Sequence, residues 1–580
     1  MFCLKLQRQE KRMNAKKKVF CGGCLLGVIT FLLIYGADTL DFTDAGWAFA
    51  TSNQDLGQHQ LGWEHFRASE WYFPIGLIDN IVYPEKLSVV YMDSIPLFAF
   101  IFKVFAGVLP EQFIYLGIFA ALCYCLQGGI GALIAFHFTE DKVYDFIFAE
   151  LLLIAPAFTY RSLYYTSLGA HWLILLSWLF WLEKEIFYVN LKKSVICWGM
   201  LSGLSVLIHP YLVIMVFGIM GGCLLNYLIS CRRIKYPLWV GGVSLAVAVL
   251  FMWISGYFYG GVTYSDGGLG DFSFNLLQFF DPDTGTGETV SYFLPQMILG
   301  GGNLQKWEGF SYLGLGVIIW LGLVIAITVY TCIRDIGEYK ISVDTFCYVF
   351  VSGLFLLLAL SPRIICGEWV IGDVRGLLPK AIQSAWGTFR ASGRLIWPVY
   401  YLLLIWGFKK NLWIIQKGVI YKRVFTVLFV GIFVIQLVDV SPQLLSKHHK
   451  FSVKGEYVSS LKSDAWKVLG DKYNHLMYFD SASVLCWNSK GYDIQRFAIA
   501  NHMTVNTVYT ARSVEAITDK YKEEHFKQLE EGKVYPDYMY IFLETFPKRN
   551  YGLFYYKIDD YLVGVPEEIQ GYKEYDVDYS

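Results

Sequence analysis

Charge is what this chain has little of. Asp, Glu, Lys and Arg make up 17% of its 580 residues, against 55% apolar residues and a mean hydropathy of +0.42. That balance excludes intrinsic disorder and an ordinary soluble globule, and it favours a membrane protein. An excess of one sign is lacking too. Forty-eight basic residues against 49 acidic ones leave a net charge of -1, so the basic face that a nucleic-acid partner needs is missing. No Walker lysine motif, H-E-x-x-H or G-x-S-x-G occurs, which removes the usual signs of cytoplasmic ATP use, zinc proteolysis and serine hydrolysis. Twelve cysteines show no paired metal spacing. The one CxxC, Cys21 to Cys24, opens an apolar run without a second pair and reads as lipid-facing or core.

Aromatics, by contrast, reach 18%, as at membrane interfaces or where a site stacks on flat ligands. The few charges are unevenly spread: residues 440–580 carry 37 in 141, residues 1–439 only 60 in 439. Three regions follow. They are a basic N-terminus, 1–18; a transmembrane domain, 19–439; and a soluble domain, 440–580, with its boundary near Asp439 to Pro442. In the last, MYFDSASVLCW, YMYIFLETF and YGLFYYKIDDYLVGV read as strands and SVEAITDKYKEEHFKQLEEG as a helix, giving an α/β or α+β domain.

The expected fold is mainly α and polytopic, with 11 transmembrane helices. The spans read at about 19–36, 113–136, 144–161, 170–183, 194–208, 211–230, 237–257, 311–333, 343–361, 394–409 and 421–438. The first, preceded by Lys16, Lys17 and Lys18, resembles an uncleaved signal anchor, placing the N-terminus in the cytoplasm. Ser94 to Leu109 is the ambiguous piece. Counting it as a span would send the Arg232-Arg233-Lys235 and Lys409-Lys410 clusters outside, against the positive-inside tendency, so it is read as interfacial. Outer segments 38–112, 258–310 and 362–393 then share the extracytoplasmic face with the C-terminal domain. The glycine-rich 258–310 segment, with Asp266 and Gly300-Gly301-Gly302, suits a mobile cover over an outer cavity.

Chemistry-bearing residues collect on that outer side. Of the acids in the first loop, Asp55 is best placed, because it opens Asp55-Leu56-Gly57-Gln58-His59-Gln60-Leu61-Gly62-Trp63; Asp41-x-x-Asp44 is the weaker alternative. A carboxylate there can take a proton from a hydroxyl or hold a divalent cation beside a phosphate, although a solvated loop acid is the commoner role. His171 and His209 stand at span ends, where ionisable groups are costly and a functional role balances a structural one. Arg390 and Arg394, four apart, would share a helical face and clamp a phosphate, or else snorkel to the interface.

With these residues in view, the chain resembles a bacterial family of integral membrane proteins assigned to the GT-C glycosyltransferase superfamily. The match runs from Asp55 through Trp63 to Tyr91-Met92-Asp93-Ser94-Ile95-Pro96-Leu97. It continues with His171-Trp172, His209-Pro210-Tyr211, Glu308-Gly309-Phe310-Ser311-Tyr312-Leu313-Gly314 and Phe389 through Pro398, covering about residues 38 to 405. The family's acid is often followed by Pro, where this chain has Leu56. The resemblance implies a signal-anchor first helix, interfacial helices in the first loop and a long outer loop after the seventh span. It also implies a membrane-bound polyprenyl-phosphate sugar donor and inverting transfer to a cell-envelope glycan, polymer or lipid acceptor at the bacterial plasma membrane.

The expected mechanism is a single displacement. Asp55 acts as base, and Arg390 and Arg394 with His171 or His209 stabilise the departing lipid phosphate. Gln58, His59, Trp63, Asp93, Trp307 and Glu308 contact substrate, with Trp63 and Trp307 stacking on sugar faces. A bound Mg²⁺ or Mn²⁺ stays an open option, which two phosphate-binding arginines would make dispensable. The alternative function is a transporter or flippase of a lipid-linked glycan, which would show related halves and mid-membrane charges.

Overall fold

A computed structural model describes residues 2–44, 46–50, 54–260, 268–297, 303–334, 342–418, 421–452, 457–480, 484–485, 489–545 and 547–577. Asp266 and Gly300-Gly301-Gly302 lie outside the described residues.

Each of the eleven apolar segments is helical, and among the described residues eight helices are long and apolar enough to cross a membrane. The other three fall short for separate physical reasons. The 144–161 segment divides into Lys142–Leu153 and Pro156–Arg161, because Pro156 has no N–H and disfavours helical backbone in the residue before it. Trp172–Leu182, at 11 residues, rises only about 16 Å. Trp397–Gln416 is long enough but dilutes its apolar run with Lys409, Lys410 and Asn411. Ser94 to Leu109 holds the 9-residue helix Pro96–Val104, which at about 1.5 Å per residue is far too short for a bilayer core.

The chain divides into two compact units. The first takes residues 1–40, 116–249 and 266–453. In it the N-terminal helix Phe2–Tyr35 lies against Leu116–Phe138 at very close range. A Cβ on Gly27 would collide with the Tyr124 carbonyl, and one on Gly128 with the Gly23 carbonyl. Small residues let helix backbones approach where no hydrophobic effect drives association. Gly128→Leu is therefore expected to cost about 1–3 kcal/mol, the usual penalty of overpacking, read as a lower thermal midpoint in detergent. An unchanged midpoint would contradict the packing.

The composition boundary at Asp439 to Pro442 falls inside helix Lys422–Phe451, and the units part at Val453 and Lys454. Pro442 is tolerated there because the carbonyl it leaves unserved, that of Val438, accepts from the Ser441 hydroxyl at 2.8 Å. Charge density rises along the sequence before the helix ends.

The second unit takes residues 41–115, 250–265 and 454–580, so the first loop folds with the C-terminal segment. Tyr83 N–H donates to the Val505 carbonyl at 2.9 Å, and Arg496 stands 3.6 Å from Glu64. A five-stranded sheet runs in the order Thr504–Val505, His475–Tyr478, Tyr538–Phe542, Tyr561–Val565, Phe554–Ile558. Its first three strands are parallel and its last two antiparallel. Helices Ser489–Ala500 and Glu515–Glu530 supply the crossovers that parallel strands need, which makes the domain α/β. The strand expected over MYFDSASVLCW ends at Tyr478. Asp480 then accepts the N–H groups of Leu543, Glu544 and Thr545 at 2.8–2.9 Å. That carboxylate bridges the strand ends where open α/β sheets ordinarily bind ligands.

Candidate functional site

The candidate residues fall in different units. Asp55, Gln58, His59, Trp63 and Asp93 belong to the second; His171, His209, Trp307, Glu308, Arg390 and Arg394 belong to the first.

In the second unit, Asp55 sits in the first turn of helix Gln54–Ala68, partly exposed, where the positive end of the helix favours a carboxylate. The residues after it are not a ligand rim. Gln58, His59, Gln60 and Trp63 are buried. Trp63 Nε1 donates to the Phe113 carbonyl at 2.9 Å and its ring meets Tyr115 edge-on at 5.3 Å, so it packs the core and offers no face to a sugar. Burial drives the His59 imidazole down to about 3, which keeps it neutral. Gln58 lines a small cavity with Leu61, Met92, Tyr492, Gln495 and Tyr509. Asp93 adopts a left-handed backbone, φ 54°, behind a short 3₁₀ turn and is half-buried.

In the first unit, local backbone chemistry brings three distant segments together. Arg161 ends the short helix that Pro156 starts, and Glu308 ends helix Asn303–Glu308. Gly309 and Gly393 approach so closely that a Cβ on Gly393 would collide with the Gly309 backbone, and Gly393 N–H donates to the Phe272 carbonyl at 3.0 Å. This contact sets Glu308 between two arginines. Arg394 grips it with both prongs, Nε to Oε2 at 2.5 Å and Nη2 to Oε1 at 2.7 Å. Arg161 Nη2 donates to Glu308 Oε2 at 3.1 Å and to the Trp307 carbonyl. Burial alone would push the Glu308 carboxyl up; Arg394 and Arg161, with Arg390 further off, outweigh it and hold it at about 2.

The cluster keeps a positive excess. Arg161 is 1% exposed, and neither its Nε nor its Nη1 reaches an acceptor among the described residues. Its guanidinium rests on the rings of Tyr160, Tyr165 and Trp397. A buried donor without an acceptor is costly, more so when charged. The arrangement therefore suits an arriving anion with several acceptor oxygens. Helices Pro210–Cys231 and Trp397–Gln416 begin beside it. Arg394 stacks 4.8 Å from Tyr211, whose hydroxyl accepts from Ala391 N–H at 2.9 Å. Helix N-termini add favourable field for an anion.

Several expectations are corrected here. Arg390 and Arg394 do not share a helical face, because the backbone is irregular at Arg390 and turns 3₁₀ only from Ser392. Arg390 instead stacks 5.2 Å from Phe272. The Arg394 fork is closed on Glu308, so Glu308 is a partner of the arginines, and Trp307 contributes a carbonyl to Arg161. His171 is fully buried: its Nδ1 lies 2.7 Å from the Tyr401 hydroxyl, its ring 4.3 Å from Trp397, and its Nε2 meets no partner among the described residues. His209 Nδ1 accepts from Tyr211 N–H at 3.2 Å, capping the next helix.

The described part of the long loop is anchored by hydrogen bonds. Buried Asp281 accepts from Asp283 N–H at 3.1 Å and Met297 N–H at 2.9 Å, and Asn275 pairs with both backbone groups of Gly367 at 2.9 Å. Asp439 Oδ2 accepts from the Tyr312 hydroxyl at 2.7 Å and Leu315 N–H at 2.8 Å. Among the described residues no group of three or more His, Cys, Asp or Glu side chains is placed to hold a metal ion. Arg161 went unread in the sequence, although an arginine ending an otherwise apolar segment was the available signal.

Fold and site together define a mainly helical, polytopic membrane protein with a buried cationic cluster in its helical unit and an α/β C-terminal domain. The chain belongs to the family described as domain of unknown function DUF6311, matched over residues 24–441, and the DUF6311 C-terminal domain is matched over 465–566. No curated protein matches the sequence. Among solved structures the chain is similar to the archaeal oligosaccharyltransferase AglB from Archaeoglobus fulgidus in complex with an inhibitory peptide and a dolichol-phosphate, at 12% identity and a TM-score of 0.38, over 85% of this chain and 65% of that one. It is similar also to the Archaeoglobus fulgidus oligosaccharyltransferase tethered with an acceptor peptide containing the NVT sequon, at 11% identity and a TM-score of 0.38, over 84% of this chain and 64% of that one. The chain spans less than two thirds of the length of either.

Proposed function

We propose that the protein is a GT-C-type membrane glycosyltransferase. It moves a sugar from a polyprenyl-phosphate-linked donor to a cell-envelope glycan, polymer or lipid acceptor on the outer face of the bacterial plasma membrane. The observation that carries this reading is Arg161: a buried guanidinium whose Nε and Nη1 meet no acceptor among the described residues, beside a second arginine already locked in place. A fold that buries such a group among its helix ends has a use for an anion there, and a lipid phosphate is an anion whose tail stays among the helices. The sequence resemblance to the GT-C superfamily supports the same chemistry.

In the reaction, the acceptor oxygen attacks the anomeric carbon from the face opposite the phosphate. The new C–O bond forms as the bond to the phosphate oxygen breaks, and that oxygen keeps the electron pair. Asp55 takes the acceptor hydroxyl's proton. Arg161 binds the departing phosphate, while Arg394 and Glu308 fix its guanidinium in place and Arg390 adds charge. His171 Nε2 is the further donor or acceptor available on the Arg161 side. Asp93 and His209 act on substrate placement. A divalent cation is not required by this scheme.

The test uses purified full-length protein with labelled polyprenyl-phosphate sugars and envelope acceptors. Wild type is expected to release label from the lipid. Arg394→Ala is expected to lower that rate about 10²-fold, the usual cost of misplacing a group held in position for the chemistry, and Arg394→Lys to restore only part of it, because an ammonium cannot bridge both Glu308 oxygens. If wild type instead carries the intact labelled lipid between leaflets without cleaving the sugar–phosphate bond, the transporter reading replaces this one.

A further inference from the structure

The antiparallel hairpin of strands Arg363–Cys366 and Trp369–Asp373 carries its apolar side chains on the outside. Trp369 is 79% exposed and Ile371 63%, and just beyond the hairpin Leu377 is 83% exposed; Val370, Val374 and Ile382 are exposed beside them. A contiguous apolar surface of this kind ordinarily meets a protein partner or a membrane. Position and charge choose between the two.

Helix Val343–Leu360 is one of the membrane-length helices, and it turns Phe346, Phe350, Leu354 and Leu357, three or four residues apart, outward as one apolar stripe. Only Ser361 and Pro362 separate it from the hairpin. The base of the hairpin is tied back to that junction: Val374 N–H donates to the Pro362 carbonyl at 2.9 Å, and Leu377 N–H to the Val374 carbonyl at 3.0 Å. Val374 and Leu377 therefore stand beside the end of the stripe, and a four-residue strand carries Trp369 at most about 13 Å from it. The polar layer on each side of a bilayer core is itself about 5–8 Å deep. Trp is the residue that collects there.

Charge gives a protein partner little to read. Arg375 Nη2 lies 2.7 Å from Asp373 and its Nη1 3.6 Å from Asp271, and Arg363 Nη1 lies 3.0 Å from Asp271. With Glu368 and Lys380 the element balances three cations against three carboxylates. Its depth is also bounded. Among the described residues strand Trp369–Asp373 pairs only with Arg363–Cys366, which leaves its other edge open. An open edge is excluded from hydrocarbon, but the headgroup layer supplies water and polar oxygens.

We infer that residues 363–387 form a shallow membrane anchor. Trp369, Ile371, Val374 and Leu377 lie at the boundary between headgroups and acyl chains in the leaflet that helix Val343–Leu360 reaches at Leu360, held there by apolar area and not by lipid charge. This role does not depend on the sugar-transfer reading.

The experiment attaches a nitroxide through p-acetylphenylalanine, which leaves the native cysteines alone, at position 369 or, in a second sample, at 377. Full-length protein is placed in nanodiscs of phosphatidylcholine alone or mixed with phosphatidylglycerol, and collisions of the label with oxygen and with a water-soluble nickel chelate are measured. At both positions and in both discs, the balance of collisions is expected to shift from chelate to oxygen relative to the free nitroxide in buffer. A balance like that in buffer at either position overturns the inference, because the patch then faces water. Loss of both kinds of collision overturns it too, since a protein surface or a second copy of the chain then covers the patch. A shift confined to the phosphatidylglycerol discs overturns anchoring by apolar area.

Discussion

Asp55→Asn is expected to abolish sugar transfer, by about 10²–10⁴-fold in kcat, the range that a positioned general base supplies, while the protein still assembles in the membrane. The substitution is nearly isosteric and falls at a partly exposed position in the first turn of helix Gln54–Ala68. An Asn there still serves the helix start, so folding is spared. What is lost is the capacity to accept a proton. Steady-state transfer assays with matched thermal midpoints make the comparison. Wild-type transfer by the Asn variant would falsify the role of Asp55 and return it to the solvated-loop reading. Trp63→Phe is the useful contrast: because Trp63 is buried on Phe113 and Tyr115, it should lower stability and leave KM for donor unchanged.

Arg161→Met is expected to be the most damaging change in the helical unit. Removing one partner of a buried ion pair costs about 3–5 kcal/mol, because the remaining charge is left uncompensated. Here Glu308 keeps Arg394, so the lower end of that range is expected for stability, together with loss of lipid-phosphate binding. A double-mutant cycle with Glu308→Gln isolates the pair, and a coupling near zero would show that the two side chains act independently. The same pair predicts a pH response. The Glu308 carboxyl is held at about 2 in the folded protein against an ordinary 4.5. A depressed folded value means that the contribution is present above 4.5 and is lost as pH falls through that value towards 2. Arg161→Met, by removing one of the charges that oppose burial, should move the loss to higher pH. Thermal midpoints of wild type and variant between pH 6 and 3 read this directly.

Some of this was legible in the sequence because the information is local. An apolar run of some twenty residues must satisfy its own backbone groups, so the eleven segments are helical, although 144–161 divides into two helices and, among the described residues, only eight helices are long and apolar enough to cross a membrane. Ser94 to Leu109 reads as interfacial because counting it as a span would send two basic clusters outside, and its 9-residue helix is too short to cross. Arg390, Arg394 and Glu308 were singled out from the right stretches of chain. Their relation was not legible. Helical spacing put Arg390 and Arg394 on one face, yet the backbone at Arg390 is irregular, and the partner that decides Arg394's geometry lies 86 residues earlier. Segment composition likewise made Gln58, His59 and Trp63 look like a ligand rim, because polar and aromatic residues crowd there. Only packing shows that they are buried.

By itself, then, the sequence determined the membrane class, the helical segments and the mixed strand-and-helix character of the C-terminal region, since hydrophobic run length and strand periodicity act over a few residues at a time; that its first strands are parallel, hence α/β, came from the structure. The tertiary structure alone decided that the first loop shares a unit with residues 454–580, that Arg161 is buried with its Nε and Nη1 meeting no acceptor among the described residues, and that Glu308 ties two arginines together. Those contacts join residues separated by up to hundreds of positions, and charge pairing at that range depends on which helix ends meet, which no local pattern records.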